Sequence, residues 1–410
     1  MSSIPRIVLK PKRARPFFAR HPWVYAGSIA QVPPGLEPGA EVAVASHEGL
    51  FVARGLYNPA SAIRVRLYRW DDAPLDESFW RERLASAIQL RSGTLQLFQP
   101  HTACRLIFSE ADQLSGLIVD HYAGFLIVQF SSLALFLRRS ILVNLLREMI
   151  APRGLIVRTD RSLADQEAFP RDAPELLGET PPQQHSFSEN DLVFQVDLLT
   201  GQKTGFFLDQ RENRLAAARY AQDRRILDLF CYSGAFGLCT LKHGRARHVT
   251  GIDSSAHAIE LARANALANH LEQVRFEAAD VMHALESLRQ QKSRFDMIIA
   301  DPPKFARNAQ GLEEAAKAYL RLNLAALSLI ESDGILVTCS CSGLVTPDLF
   351  HQILAQAAER AGRDLQILES RGQAPDHPVA ASCLESAYLK CVIARVTGPT
   401  PPPLDVPTNP

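Results

Sequence analysis

In Arg225–Asp253, RILDLFCYSGAFGLCTLKHGRARHVTGID, an apolar run ends in a glycine-bearing turn, and a second apolar run ends in an acid. Ile226–Phe230 reads as a buried strand, Gly234–His243 as a helix and Val249–Asp253 as a second strand. Two strands joined through a helix over this length form a βαβ unit with parallel strands. The alternation continues, with further strands predicted at Val274–Phe276, Met297–Ala300 and Ile335–Thr338. Helices are predicted at Ala256–Asn269, Val281–Gln290, Leu312–Ile330 and Pro347–Ala361. The fold class is therefore α/β: a doubly wound, mostly parallel sheet with helices on both faces. Tyr388–Val396, long and β-branched, suits an antiparallel edge strand.

Upstream the pattern changes. Arg6–Leu9, Glu41–Val44, Phe51–Tyr57 and Ala62–Trp70 read as short strands separated by turns, which predicts a small β-barrel over residues 1–72. A central α+β domain is expected over 75–185, with a helix around Phe79–Ser92, a hairpin of Leu117–Asp120 with Phe125–Phe130, a long helix Leu133–Ile150 and a strand Gly154–Arg158. A polar, Pro-containing stretch, Glu179–Asn190, leads to the strand Leu192–Leu198. The α/β domain is assigned to 190–396, and the Pro-rich tail 397–410 is expected to be disordered.

Composition narrows the class. The chain has 410 residues, 47% apolar and 21% charged, which fits an ordinary globular protein of two or three domains. No run approaches the roughly 18 apolar residues of a membrane span, and no secretory signal is read, so a cytoplasmic location without membrane association is expected. Seven scattered cysteines suit a reducing compartment, and none has the spacing of a metal site. The net charge of zero hides an asymmetry: residues 1–70 carry ten basic groups against three acidic ones. A small basic module beside a larger neutral body is either a solvated face or a nucleic-acid footprint.

Chemistry is expected beyond the carboxyl ends of the strands, near the point where strand order reverses. There the first strand runs into Asp228-Leu229-Phe230-Cys231-Tyr232-Ser233-Gly234, and the second ends in Asp253-Ser254. A carboxylate at position 253 can accept both hydroxyls of a ribose. This turn is bulkier than the Gly-rich turn a pyrophosphate requires, which points to a ligand without phosphates. Asp280, before Val281, either contacts an adenine amino group or caps the helix that follows. The fourth strand ends in Asp301-Pro302-Pro303-Lys304-Phe305, where two fixed φ angles hold the acid rigidly at the sheet rim. After the fifth strand comes Cys339-Ser340-Cys341-Ser342-Gly343, which places a thiol at the ligand edge, in range to act as a nucleophile. Cys104, Cys239, Cys383 and Cys391 are assigned to packing, and Cys231 to the wall of the site. Lys203 through Arg214, with Asp209, Gln210 and Arg211, either starts a helix capped by Asp209 or crowds polar groups toward the site.

With these motifs located, the sequence resembles the bacterial ribosomal RNA large subunit methyltransferase I family, which makes 5-methylcytosine in 23S rRNA. The resemblance runs from Arg6 to about Val396. It rests on His21-Pro22-Trp23-Val24, Ala53-Arg54-Gly55, Lys203-Thr204-Gly205 through Arg211, Asp301 through Phe305, Ser340 through Gly343, and Ala374 through Val379. It implies an N-terminal PUA-like RNA-binding domain, a central α+β domain and a Rossmann-like class I methyltransferase domain using S-adenosyl-L-methionine (SAM). Position by position, it implies that Asp228, Tyr232, Ser233 and Gly234 form the methionine-side loop. Asp253 and Ser254 would hold the ribose, and Asp280 and Val281 the adenine. Lys203, Asp209, Gln210, Arg211 and Pro302 would complete the pocket. Cys341 matches the family nucleophile and Asp301 its acidic partner. Cys339 departs from the pattern, which commonly has an aromatic residue there. RNA is the implied partner, and a homodimer is left open. The competing readings are methylation of another base and, further off, a nicotinamide-dependent oxidoreductase.

Overall fold

A computed structural model describes residues 4–160, 163–170, 174–199, 205–305 and 311–398. The chain forms two compact units. One comprises Met1–Phe187, Val196–Leu208 and Pro375–Ser386, and the other Ser188–Gln195, Asp209–Ala374 and Ala387–Pro410.

The first unit opens with strands β1 to β6 (Arg6–Leu9, Trp23–Tyr25, Ile29–Gln31, Glu41–Ala45, Phe51–Tyr57, Ile63–Arg69), with a short helix α1 (Arg15–Phe18) after β1. They build one six-stranded sheet of order β2-β6-β5-β4-β1-β3. The three-residue strands β2 and β3 are too short to show a period in sequence. Helix α2 (Glu77–Gln89) is capped by Asp76, whose carboxylate accepts the Phe79 N–H at 2.9 Å. A second sheet follows: β7 to β11 (Ala103–Phe108, Leu117–Tyr122, Phe125–Phe130, Gly154–Thr159, Glu175–Gly178), in the order β11-β10-β9-β8-β7. The expected helix Leu133–Ile150 is two pieces, α3 (Leu133–Phe136) and α4 (Arg139–Ile150). All four residues of α3 are buried, so an unbroken apolar run concealed the break. A short helix, α5 (Ala164–Glu167), precedes β11.

The segment Pro375–Ser386 is bound to this unit by side chains without the freedom of a surface turn. Arg91, fully buried, donates to the Asp376 carbonyl oxygen at 2.7 Å and pairs with Asp112 at 2.7 Å. The Asp376 carboxylate accepts the Arg105 backbone N–H at 3.0 Å and lies 3.0 Å from His377 Nδ1. Asp376-His377 is therefore a buried clamp in the packing of this unit.

Strands β12 (His185–Glu189) and β13 (Leu192–Val196) pair as a hairpin. β12 lies in the polar stretch Glu179–Asn190, where no strand was expected; its buried positions are His185, Phe187 and Glu189, so hydropathy alone carries almost no alternation. The second unit is then built on β14 to β20: Arg225–Leu229, His248–Asp253, Val274–Ala278, Phe295–Ala300, Ile330–Ser340, Asp364–Arg371 and Lys390–Thr397. Its helices α6 to α11 are Arg211–Ala218, Ala235–Gly244, Ala256–Ala268, Val281–Gln290, Leu312–Leu329 and Pro347–Ala361. The sheet order is β16-β15-β14-β17-β18-β20-β19. β14 through β18 are parallel, and β20 lies antiparallel between β18 and β19.

β20 is thus interior, and the expected edge position belongs to β19. That strand escaped sequence reading because its residues are mostly exposed and a register shift between Ile367 and Glu369 breaks the period of two. Strand β14 is buried from Ile226 onward, as a central parallel strand covered on both faces must be. Local signals set the helix ends. Ser255 and Asp280 cap α8 and α9, Thr346 caps α11 ahead of Pro347, and Gly362 ends α11 at φ 61°. Among the described residues no helix is long and apolar enough to cross a membrane.

Candidate active site

Strand order reverses between β14 and β17, so the loops leaving these two strands diverge and open a crevice at their carboxyl ends. The loop after β14 is conformationally unusual. Phe230, Tyr232 and Gly234 all have positive φ, at 59°, 47° and 76°. For the two aromatic residues this is a sparsely populated region, held here by specific bonds. The Cys231 N–H donates to the Ile252 carbonyl at 3.0 Å, Tyr232 N–H to the Asp253 carboxylate at 3.0 Å, and Gly234 N–H to the Cys231 carbonyl at 2.8 Å. At Gly234 a Cβ would stand 2.7 Å from Phe276 Cζ, so only glycine fits.

Around this loop three carboxylates converge. Asp228, buried, accepts the Gly237 N–H at 3.0 Å, and burial together with Asp301 and Asp253 pushes its carboxyl up to about 7. Arg214 acts in the other direction, but it is ion-paired to Glu189. Asp253 also accepts the Ser255 N–H at 2.9 Å, which leaves lone pairs on both oxygens for ligand hydroxyls. A crevice with this much negative charge attracts a cation and repels a pyrophosphate, which counts against a dinucleotide.

Asp301, at the end of β17, is oriented by a chain of polar groups in which Gln210 and Asn213 are buried. Arg371 Nε donates to Asn213 Oδ1 at 3.0 Å, Asn213 Nδ2 to Gln210 Oε1 at 2.6 Å, and Gln210 Nε2 to Asp301 Oδ2 at 3.1 Å. A donor-only guanidinium at one end and a carboxylate at the other fix the direction of both amides. Asp209 does not cap the following helix. Tyr388 Oη donates to its Oδ2 at 2.5 Å, while Oδ1 is buried without a partner among the described residues and can receive a ligand donor. Arg211 is buried and ion-paired to Glu189 at 3.4 Å. Lys203 lies outside the described residues.

Asp280 takes the capping role, its Oδ1 accepting the His283 N–H at 2.9 Å, with Val281 buried behind it. Ser254 is exposed, and Ser233 is buried with its carbonyl bound by Asn265 Nδ2 at 3.0 Å. Beyond β18, six of the seven cysteines are buried and Cys341 is half-exposed. Its Sγ lies 4.0 Å from the Pro302 carbonyl, against the turn that carries Asp301. Cys339 is fully buried and paired across the strands with Cys391. Contact with Cys391, then burial, raises its thiol well above the ordinary range, so it stays protonated.

Sequence reading passed over Asn213, Arg371, Tyr388 and Lys390. Asn213 and Arg371 are 158 residues apart, so no local pattern joins them. Lys390 did leave a signal: a lysine inside the long apolar strand Tyr388–Val396.

In the first unit, Arg54, Arg66 and Arg69 are drawn into ion pairs with acids. Arg6, Lys12, Arg13, Arg15 and Arg20 remain exposed with no ion pair among the described residues, beside the exposed rings of Phe18 and Tyr25. His21, Cys383 and Glu385 approach one another within 4.8 Å. The Trp23 N–H donates to His21 Nδ1 at 3.3 Å, which leaves the proton on Nε2, 3.4 Å from Glu385, so this ring offers a metal no lone pair there.

The parallel sheet, its antiparallel strand between the last two neighbours, and the acid-lined crevice define a class I SAM-dependent methyltransferase. Residues 7–70 match the PUA-like domain family, and residues 107–394 the S-adenosylmethionine-dependent methyltransferase family. The chain is 39% identical over 393 residues to the ribosomal RNA large subunit methyltransferase I of Tolumonas auensis, covering 95% of this chain and 98% of that protein. It is 36% identical to the Klebsiella pneumoniae protein of the same name, covering 96% and 99%. A SAM-dependent methyltransferase structure from Streptococcus mutans superimposes with a TM-score of 0.81 at 20% identity, covering 95% of this chain and 99% of that one. A methyltransferase crystallised with SAH gives 0.83 at 21%, with the same coverage. The chain belongs to the ribosomal RNA large subunit methyltransferase I family.

The crevice fits SAM on its own chemistry. SAM carries a sulfonium and an ammonium, which suit a cluster of carboxylates, and its polar hydrogens suit an acceptor such as Asp209 Oδ1.

Proposed function

We propose that this protein methylates carbon 5 of a cytosine in 23S rRNA of the large ribosomal subunit, through a covalent adduct on Cys341. One observation carries the reading: the half-exposed thiol lies against the Asp301-Pro302 turn, at the ends of adjacent parallel strands in which Ala300 pairs with Thr338. The names of the relatives support ribosomal RNA as the substrate. The unpaired basic groups of residues 6–20, with exposed aromatic rings beside them, suit contacts to phosphates and bases.

SAM, when bound, supplies an electrophilic methyl group on a sulfonium. Tyr232, Ser233, Gly234 and Asp228 would border its methionine end, Asp253 and Ser254 its ribose, and Asp280 and Val281 its adenine, with Asp209, Gln210, Arg211 and Pro302 completing the pocket. Carbon 5 of cytosine is a weak nucleophile. The Cys341 thiolate forms a bond to carbon 6, and the electron pair of the 5,6 double bond becomes available at carbon 5. Asp301, held by Gln210, accepts an N4–H of the base and, in its protonated form, donates to N3, where the negative charge of the adduct builds. After carbon 5 is methylated, its proton leaves to a base. The C–H electron pair restores the double bond and expels the thiolate. The target base must leave its stack, at a cost of a few kcal/mol, so a loop or single strand is favoured.

The test is Cys341→Ala. Methyl transfer to rRNA is lost, while SAM binding measured by calorimetry stays within about threefold. Turnover near the wild-type rate would remove covalent catalysis.

A further inference from the structure

Lys390 opens β20 opposite Ser340, the last residue of β18 and the neighbour of Cys341. It is 7% exposed, in a strand whose next four residues, Cys391 to Ala394, are apolar and buried. Its Nζ donates to the Ser342 carbonyl at 2.5 Å and to the Tyr388 carbonyl at 2.8 Å. The ammonium therefore spans the loop that carries the Cys341 sulfur. Among the described residues no carboxylate pairs with it. A buried ammonium without a counter-anion is costly, and two neutral carbonyls offset only part of that cost. A structural lysine would gain from an acid here, and a purely structural position would be filled at less cost by an apolar residue.

The missing anion is at hand one residue from the register partner. We propose that Lys390 is the positioning residue that holds Cys341 as a thiolate: the thiol proton goes to solvent, and the sulfur carries the negative charge that the buried ammonium lacks. Other groups set the field of this corner. Burial lowers the Lys390 ammonium to about 8, Cys341 opposes that shift, and exposed Lys304 adds to it. Tyr319, whose hydroxyl feels Cys341, Asp301 and Cys339, is kept protonated by burial. Cys339 stays a thiol against Cys391. Lys390 is thus the buried cation of the pair, and Lys304 reinforces it from the surface.

The proposal rests on Cys341 being the nucleophile, but its test reads the sulfur without RNA. Iodoacetamide alkylation of the full-length protein is followed from pH 5 to 10, and Cys341 modification is quantified by peptide mass spectrometry. In wild type the Cys341 midpoint falls at least one unit below the roughly 8.5 of an ordinary thiol. Lys390→Met raises the midpoint by about one unit or more and slows alkylation at pH 7 about tenfold. Lys390→Arg, which keeps the charge, restores the low midpoint. A wild-type midpoint at or above the ordinary value overturns the proposal, even if Lys390→Met fails to fold, and so does a midpoint in folded Lys390→Met equal to wild type. If Cys341→Ala still methylates RNA while the midpoint shifts as expected, the nucleophile reading fails and the ion pair stands.

Discussion

Replacing Asp228 with Asn should stabilise the cofactor-free protein, and the gain should depend on pH. The Asp228 carboxyl is raised from an ordinary 3.8 to about 7, by burial first and then by Asp301 and Asp253, against the Gly237 N–H that favours the charge. Between these values the folded protein keeps a proton that the unfolded chain has released, so stability falls as pH rises through the window. Three units at about 1.4 kcal/mol each give about 4 kcal/mol, fully felt above pH 7 and absent below about pH 4. Asn carries no charge at any pH and escapes this loss; an amide hydrogen left without an acceptor takes back about 1 kcal/mol. At roughly 2–4 °C per kcal/mol, Asp228→Asn should melt on the order of 10 °C above wild type at pH 8 and within a few degrees at pH 4.5. The assay is scanning calorimetry without SAM at both pH values, followed by SAM titration, in which the variant binds more weakly because the crevice has lost a negative charge. A shift that is the same at both pH values, or a wild type that is the more stable at pH 8, would refute the reasoning.

Asn213→Ala cuts the relay between Arg371 and Gln210 and leaves buried donors and acceptors without partners. It should lower kcat about ten- to a hundredfold and cost about 1–3 kcal/mol of stability, read by steady-state kinetics and melting; an unchanged kcat would show that the relay does not position Asp301. Gly234→Ala imposes a left-handed φ of 76° on an L side chain and drives Cβ to 2.7 Å from Phe276. SAM affinity measured by calorimetry should fall at least tenfold, and an unaltered Kd would mean that this turn does not border the ligand.

The α/β core was legible because its parallel strands are buried on both faces and read as apolar runs, as in Ile226–Leu229 and Met297–Ala300. Asp253, Asp301 and the thiol were legible for a related reason: each ends or closely follows such a strand, so locating the strand locates the sheet edge. What sequence could not carry was pairing across long separations. The Asp301–Gln210–Asn213–Arg371 chain joins the end of β17, the start of α6 and β19 through side chains alone. The exposed strand β19 has no hydrophobic period to read, which is why β20 was expected at the edge. Cys341 was chosen over Cys339 by resemblance alone, since residues two apart on a strand share a face. The chain leaves β18 at Ser340 and separates the two, packing Cys339 against Cys391 and turning Cys341 toward Pro302.

The decisive experiment incubates the protein and methyl-labelled SAM with rRNA from cells that lack it, then digests the product to nucleosides for mass spectrometry. Label recovered in 5-methylcytidine, in the large-subunit fraction, is the predicted result. Label on a guanine or adenine nitrogen would contradict it.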